Sequence, residues 1–257
     1  MHDDKVESLR IVTRGYEVAS SGTISPSQFL RYFEHLRWRT ISGSGKLPLR
    51  RFWPLGVVRS QVLEIHRPVS FDVEIEITMW LSRVGRTSMT FSHDMVRVTD
   101  GKLVGRSTAT IVALDSKRRP SPIGEGARAY LLEREGIAAE RLETEPPEDA
   151  WERAVDVRPS DHDLQQHVNH ARYADFVEDT RWFCAQAGGY GPGEWDGPCG
   201  TLSIAYEQEA RVGDGLVART WRTPGRERSL DFALVKPGGV ATRARLELAR
   251  AALYESA

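Results

Sequence analysis

The sequence predicts an α+β protein made of two tandem copies of one unit, each a long helix wrapped by a curved antiparallel sheet. Three observations carry this. The chain resembles itself, each copy holds one amphipathic helix, and the strands that follow are joined by connections too short for crossover helices. Laid on itself so that Arg14 falls on Arg158, the chain also matches Glu17 with Asp161, Ile24 with Val168, Phe29 with Tyr173 and Tyr32 with Phe176. Glu34, Arg37 and Trp38 then fall on Glu178, Arg181 and Trp182 without a gap. Similarity at one fixed spacing is the mark of a repeated structural unit.

The elements follow in order. Ser25-Pro26 starts the first helix, a hydroxyl cap followed by proline at the first helical position. Phe29, Tyr32, Phe33 and Leu36 give that helix one apolar face. A Gly/Pro-rich loop, SGSGKLP, comes next, and FDVEIEITMW then alternates through Phe71, Val73, Ile75, Ile77 and Met79 as a strand. SMTFSHDMVRV and STATIVAL continue the sheet. In the second copy Asn169 caps, Tyr173, Phe176 and Val177 repeat the helix face, and AGGYGPGEWDGP is the loop. GLVARTW, RSLDFALV and ATRARLELA are its strands, and GRTS and GRERS mark equivalent turns. The organisation expected is a first unit over 1–115, a linker over 116–150 and a second unit over 151–257. The linker contains KRRPSP, a short helix-like ARAYLLEREG and the acidic ETEPPEDA, a composition suited to an exposed connection.

Composition removes several function classes. Across 257 residues, 35 Lys plus Arg balance 36 Asp plus Glu for a net charge of -1, without the basic excess a nucleic-acid partner wants. Two cysteines make no disulfide framework, the start MHDDKVESLR has no apolar signal core, and no apolar run spans a membrane. A cytoplasmic protein is expected. No G-x-S-x-G elbow, Walker loop or G-x-G-x-x-G after a strand occurs, which argues against serine hydrolases and nucleotide or dinucleotide enzymes.

The densest chemistry lies in SDHDLQQHVNH, Ser160 to His170, with two carboxylates, three histidines, two glutamines and an asparagine. Three readings compete for it. A metal site would use His162, Asp163, His167 and His170, but the spacing fits no standard zinc signature. A solvated turn would use Asp163 as a local cap. A catalytic site would use the carboxylate and histidine for proton transfer. The first copy is an internal control: Asp163, Gln165 and His167 face Ala19, Ser21 and Thr23, none of them a base near neutral pH. A turn needed only for folding would keep its polar residues in both copies, so one active site per chain is expected.

These residues resemble a family. A polar D-x-D-x-x-x-H-V-N turn, a helix ending near Glu-x-x-Arg-Trp and a run of strands look like the hotdog fold of thioesterases. Two such units joined by DSKRRPSPIGEGARAYL resemble the plant and bacterial acyl-ACP thioesterases, most sharply in SDHDLQQHVNHARYADFVEDTRW. The resemblance implies catalytic roles for Asp163 and His167. It also implies one for Gln165, where the family usually has asparagine, and for Glu209 on the following strand. Ala210 stands where the plant enzymes often carry cysteine, so no cysteine nucleophile is expected there. The implied activity is hydrolysis of fatty acyl thioesters, on acyl carrier protein or on coenzyme A, with no cofactor and no metal. A non-catalytic acyl-binding protein is the rival reading, and a hotdog dehydratase fits the turn less well. The two units pair within one chain, so either a monomer or a homodimer would serve.

Other residues receive plainer readings. Cys184 and Cys199 are expected to be structural, Trp38 and Trp182 to be packing residues, and His162 and His170 to be solvent or supporting groups. Arg50-Arg51 and Lys117-Arg118-Arg119 could meet an acidic carrier but read first as solvated loops. The His167 turn lies just before a helix start, where unpaired N–H groups and the helix dipole would favour an oxyanion.

Overall fold

The structure, a computed structural model, describes residues 3–19, 21–43, 45, 47, 56–134, 136–190 and 197–249. Arg50-Arg51 and the middles of the two Gly/Pro-rich loops lie outside the described residues. The chain forms two compact units, one within Met1–Ala139 and one within Glu140–Leu253.

The first unit runs β1 (Val6–Val12), α1 (Pro26–Ile41), β2 (Gly56–Ile65), β3 (Glu74–Val84), β4 (Ser88–Arg97) and β5 (Leu103–Ala113). Its strands lie in the order β1-β3-β4-β5-β2, every neighbouring pair antiparallel. The second runs β6 (Trp151–Val155), α2 (Arg172–Gln186), β7 (Cys199–Tyr206), β8 (Leu216–Arg222), β9 (Ser229–Lys236) and β10 (Gly239–Leu248). Its order is β6-β8-β9-β10-β7, again all antiparallel. The second order repeats the first strand for strand. The α+β class and the internal repeat therefore both hold in the fold.

In the first unit Ser25 caps α1 by accepting from the Gln28 N–H at 3.3 Å. Phe29, Leu30, Phe33 and Leu36 are buried on α1, and so are Ile75, Ile77 and Met79 on β3. Each such side chain contributes about 1.5–3 kcal/mol through removal from water. The second core repeats this with Tyr173 and Phe176 of α2 against Leu216, Ala218, Leu234 and Ala241.

Several expectations are corrected. β3 starts at Glu74, and Phe71, expected in its alternation, is 62 % exposed. The preceding loop is closed instead by Thr13, whose hydroxyl donates to Ser70 O at 2.7 Å and accepts from Val73 N at 3.0 Å. ARAYLLEREG is not a helix beyond one 3-10 stretch, Glu125–Tyr130. The hydrogen bonds of the next residues go to the sheet: Leu132 N to Leu81 O at 3.0 Å, and Trp80 Nε1 to Arg134 O at 3.0 Å. Trp38 and Trp182 are not core packing residues; they are 36 % and 55 % exposed. Trp38 donates to Glu34 at 3.1 Å, and Trp182 stacks edge-on against Phe183.

The connecting segment is shared between the units. Arg134 lies 4.1 Å over the Trp80 ring and pairs with Asp94, which Arg106 also holds at 2.7 Å. From Glu140 onward the partners are in the second unit, with Glu140 accepting from Arg226 and Arg245, each at 2.6 Å. Among the described residues no helix is long and apolar enough to cross a membrane.

One polar group sits deep in the first core. His93 of β4 is fully buried 5.0 Å from the Phe33 ring, with Nδ1 3.4 Å from Ser107 O. Burial, and then the Arg37 charge, hold its pKa well below the usual histidine value, so the folded ring stays neutral. The unfolded chain binds a proton near pH ~6.5 that the folded chain refuses. Stability is therefore present above that pH and lost as pH falls below it. Urea unfolding is expected to show a loss approaching ~1.4 kcal/mol per pH unit below pH ~6.5, a component that His93→Leu removes. An unchanged slope in that variant would contradict the assignment.

Candidate active site

The site is built on a turn that the fold makes twice. After β6 the chain takes a 3-10 turn at Pro159–Asp161. Buried Asp161 accepts from Arg158 N at 2.8 Å and pairs with Arg172 Nε in the first turn of α2 at 2.9 Å. The first unit does the same with Glu17, which accepts from Arg14 N at 2.7 Å, from Gln28 Nε2 at 3.2 Å and from the Tyr32 hydroxyl. This acid is structural in both copies: it ties the entry turn to the helix.

The next residues fold back as a small hairpin. His162 bridges Val168, as Val18 bridges Ile24. Asp163 N donates to His167 O at 2.9 Å, as Ala19 N donates to Thr23 O at 2.8 Å. Gln166 N donates to Asp163 O at 3.1 Å, as Gly22 N donates to Ala19 O at 2.9 Å. Both turns need a left-handed residue at one position; Gly22 has φ 79° and Gln166 has φ 64°. The backbone is thus the same while the side chains differ, which separates what the turn needs from what only the second copy carries.

In the second copy His167 is buried between two carboxylates. Its Nδ1 is 3.7 Å from Asp163 Oδ1 and its Nε2 is 3.8 Å from Glu209 Oε1. Asp163 Oδ1 also accepts from Gln165 N at 2.7 Å, so the aspartate closes the turn and faces the imidazole at once. Glu209 is not on a strand as expected. β7 ends at Tyr206 because Glu207 N and Gln208 N both turn back to Ala241 O, and Glu209 follows in the loop. That loop is pinned closely. Val168 N donates to Ala210 O at 2.8 Å, Lys236 Nζ donates to Glu209 O, and Arg211 lies 3.4 Å from Glu209 Oε2. Glu207, whose spacing suggested a shared face with Glu209, binds Arg243 at 2.9 Å instead.

The helix terminus also differs from expectation. α2 begins at Arg172 with Ala171 at its N-cap, and Asn169, expected to be the cap, lies two residues before it and accepts from Ala171 N at 2.8 Å. The N–H groups of Val168, Asn169 and Arg172 likewise donate within the protein. Four donors near the terminus are therefore already occupied. Side-chain donors also stand at the turn, on His167 and the half-buried Gln165.

The remaining candidates occupy other roles. His162 Nε2 accepts from Val212 N at 3.1 Å, a contact that the sequence did not suggest. The signal for it was the repeat itself, which sets His162 opposite the hydrocarbon Val18. The ring of His170 meets Tyr206 edge-on, and its carbonyl accepts the Tyr206 hydroxyl at 2.9 Å. Among the described residues no three His, Cys, Asp or Glu groups converge to hold a metal ion. Cys184 and Cys199 are buried, and burial pushes both thiols up, so neither is a thiolate near neutral pH. Arg119 of the basic loop pairs with Asp115 at 3.0 Å.

Residues 16–139 match the family model described as the thioesterase-like superfamily. That stretch lies within the first unit, the copy without the Asp-His pair. No match to a curated protein is found at the level of sequence. Three solved structures share the fold over nearly the whole chain. The 12:0-ACP thioesterase from Umbellularia californica has a TM-score of 0.78 at 19 % identity, covering 95 % of this chain and 97 % of that one. An acyl-ACP thioesterase from Bacteroides thetaiotaomicron has 0.77 at 15 %, covering 97 % and 100 %. An oleoyl thioesterase (putative) from Lactobacillus plantarum has 0.76 at 16 %, covering 95 % and 97 %. The chain thus has the tandem hotdog fold of these proteins.

The turn makes a stability prediction. Gln166 holds a left-handed backbone that its counterpart Gly22 adopts at little cost. Gln166→Gly is expected to raise unfolding stability by about 1 kcal/mol. A loss of stability in thermal or urea unfolding would show that the Gln166 side chain makes a compensating contact.

Proposed function

We propose that this chain hydrolyses fatty acyl thioesters carried by acyl carrier protein, with one site per chain at the turn before α2. The observation that supports this most is the doubled turn: the backbone hydrogen bonds are the same in both copies, and only one copy gathers Asp163, His167 and Glu209. The shared fold with proteins named as acyl-ACP thioesterases supports the carrier.

The geometry supports the following roles. Nε2 of His167 and Oε1 of Glu209, 3.8 Å apart, can both reach one water at about 2.8 Å from each. Glu209 takes a proton from that water as its oxygen attacks the thioester carbonyl carbon. Asp163 faces Nδ1 and holds the imidazole in one orientation. The negative charge that develops on the carbonyl oxygen is met by the Gln165 amide or by a protonated His167. Collapse of the tetrahedral intermediate breaks the C–S bond, and the proton held by Glu209 passes to the departing sulfur. The products are a free fatty acid and the carrier thiol, and no redox or metal chemistry is needed for the balance.

A second reading has its own observation. Gln165 puts its amide one methylene further out than the family's asparagine, and both His167 spacings exceed direct hydrogen-bond length. An acyl-binding protein without turnover would tolerate both features.

Free-thiol release from acyl-ACP and acyl-CoA of matched chain length separates these readings. Turnover is expected, faster on the ACP carrier. His167→Ala and Glu209→Gln are each expected to lower it by roughly a hundredfold or more while thermal unfolding stays close to wild type. Thr23→Ala in the first unit should leave turnover nearly intact. Binding with no thiol release from either carrier would favour the acyl-binding reading, and faster release from acyl-CoA would reassign the carrier.

A further inference from the structure

We infer that His162 is a positioning residue: it clamps the loop that carries Glu209 against the turn that carries His167, and thereby sets the spacing between the two. The inference rests on the hydrolytic reading of the site. Glu209 reaches His167 only if the 207–214 loop is held to the turn. One tie, Val168 N to Ala210 O at 2.8 Å, fixes the residue just after Glu209. The segment beyond it carries Arg211, which faces the other carboxylate oxygen of Glu209 at 3.4 Å. His162 closes that far side, with Nε2 accepting from Val212 N at 3.1 Å. Glu209 is therefore bracketed, with its loop tied to the turn at residues 210 and 212.

The first unit shows that the fold does not require this clamp. The tie equivalent to Val168–Ala210 is Ile24 N to Val69 O, 2.8 Å, so Phe71 stands where Val212 stands. Its counterpart of His162 is Val18, whose side chain has no acceptor, and Phe71 is largely exposed. That loop is closed from the other direction by the Thr13 hydroxyl. The second unit has Val157 in place of Thr13 and lacks that option. The same loop is thus closed in two ways, and the closure running through the turn itself occurs where Glu209 must face His167.

The test compares His162→Leu, which removes the acceptor, with His162→Gln, whose amide oxygen can accept from Val212 N. Each is read by thiol release and by hydrogen exchange of the Val212 amide. His162→Leu is expected to lower kcat by about threefold to tenfold with little change in KM, and to speed Val212 exchange by a similar factor, as fits loss of one hydrogen bond. His162→Gln should restore both. Unchanged Val212 exchange in His162→Leu, or an unchanged kcat despite faster exchange, overturns the inference. If the wild-type protein releases no thiol, the hydrolytic reading falls and the positioning role falls with it. Val212 exchange then still reports whether the tether exists.

Discussion

One backbone hydrogen bond, Val168 N–H to Ala210 O at 2.8 Å, holds together two segments that are far apart in sequence. It joins the turn before α2 to the loop after β7, and its counterpart, Ile24 to Val69 at 2.8 Å, does the same in the first unit. The turn before α2 and the loop after β7 meet with Val168 and Ala210 buried, where unpaired backbone donors are costly. Pairing them satisfies the backbone and fixes where any side chain on either segment will stand. His167, one residue before Val168, and Glu209, one residue before Ala210, inherit their proximity from that bond.

The two copies share the backbone of the turn and differ in its side chains. Glu17 and Asp161 perform one structural task, and their partners differ: a glutamine and a tyrosine in one copy, an arginine in the other. The hairpin that follows forms equally around Ala19 and Thr23 or around Asp163 and His167. The second copy also accepts a glutamine in a left-handed conformation where the first has glycine. Backbone strain of this kind collects where surrounding contacts over-determine the chain, and here the acid below the turn and the tied loop above it provide those contacts.

Much of this is legible in the amino-acid sequence. The repeat, the two helix faces and the hairpin strands follow from periodicity and from one gapless alignment of the chain with itself. The residues that diverge inside that alignment, Asp163, Gln165 and His167, stand out as candidates for the same reason. What the sequence does not show is set by tertiary partners. Phe71 alternates correctly for a strand, but Thr13 captures the backbone beside it. ARAYLLEREG has helical composition, but Leu81 and Trp80 take its hydrogen bonds. Glu209 has the spacing of a strand residue, but Ala241 bends the chain at Glu207 and Gln208. The N–H groups at the start of α2 look available in the sequence because their acceptors, Asp161, Asn169 and Ala210, are matched to them only once the turn has folded.

The central claim is that the polar side chains of the second turn serve chemistry and its backbone serves the fold. The measurement that tests this most directly is made on a chain in which Asp163→Ala, Gln165→Ser and His167→Thr give the second turn the side chains of the first. Thiol release and thermal unfolding are measured side by side. The account predicts a chain that unfolds within a few degrees of wild type and releases no thiol. A chain that fails to fold would show that the polar residues hold the turn, and one that keeps its turnover would show that the chemistry lies elsewhere.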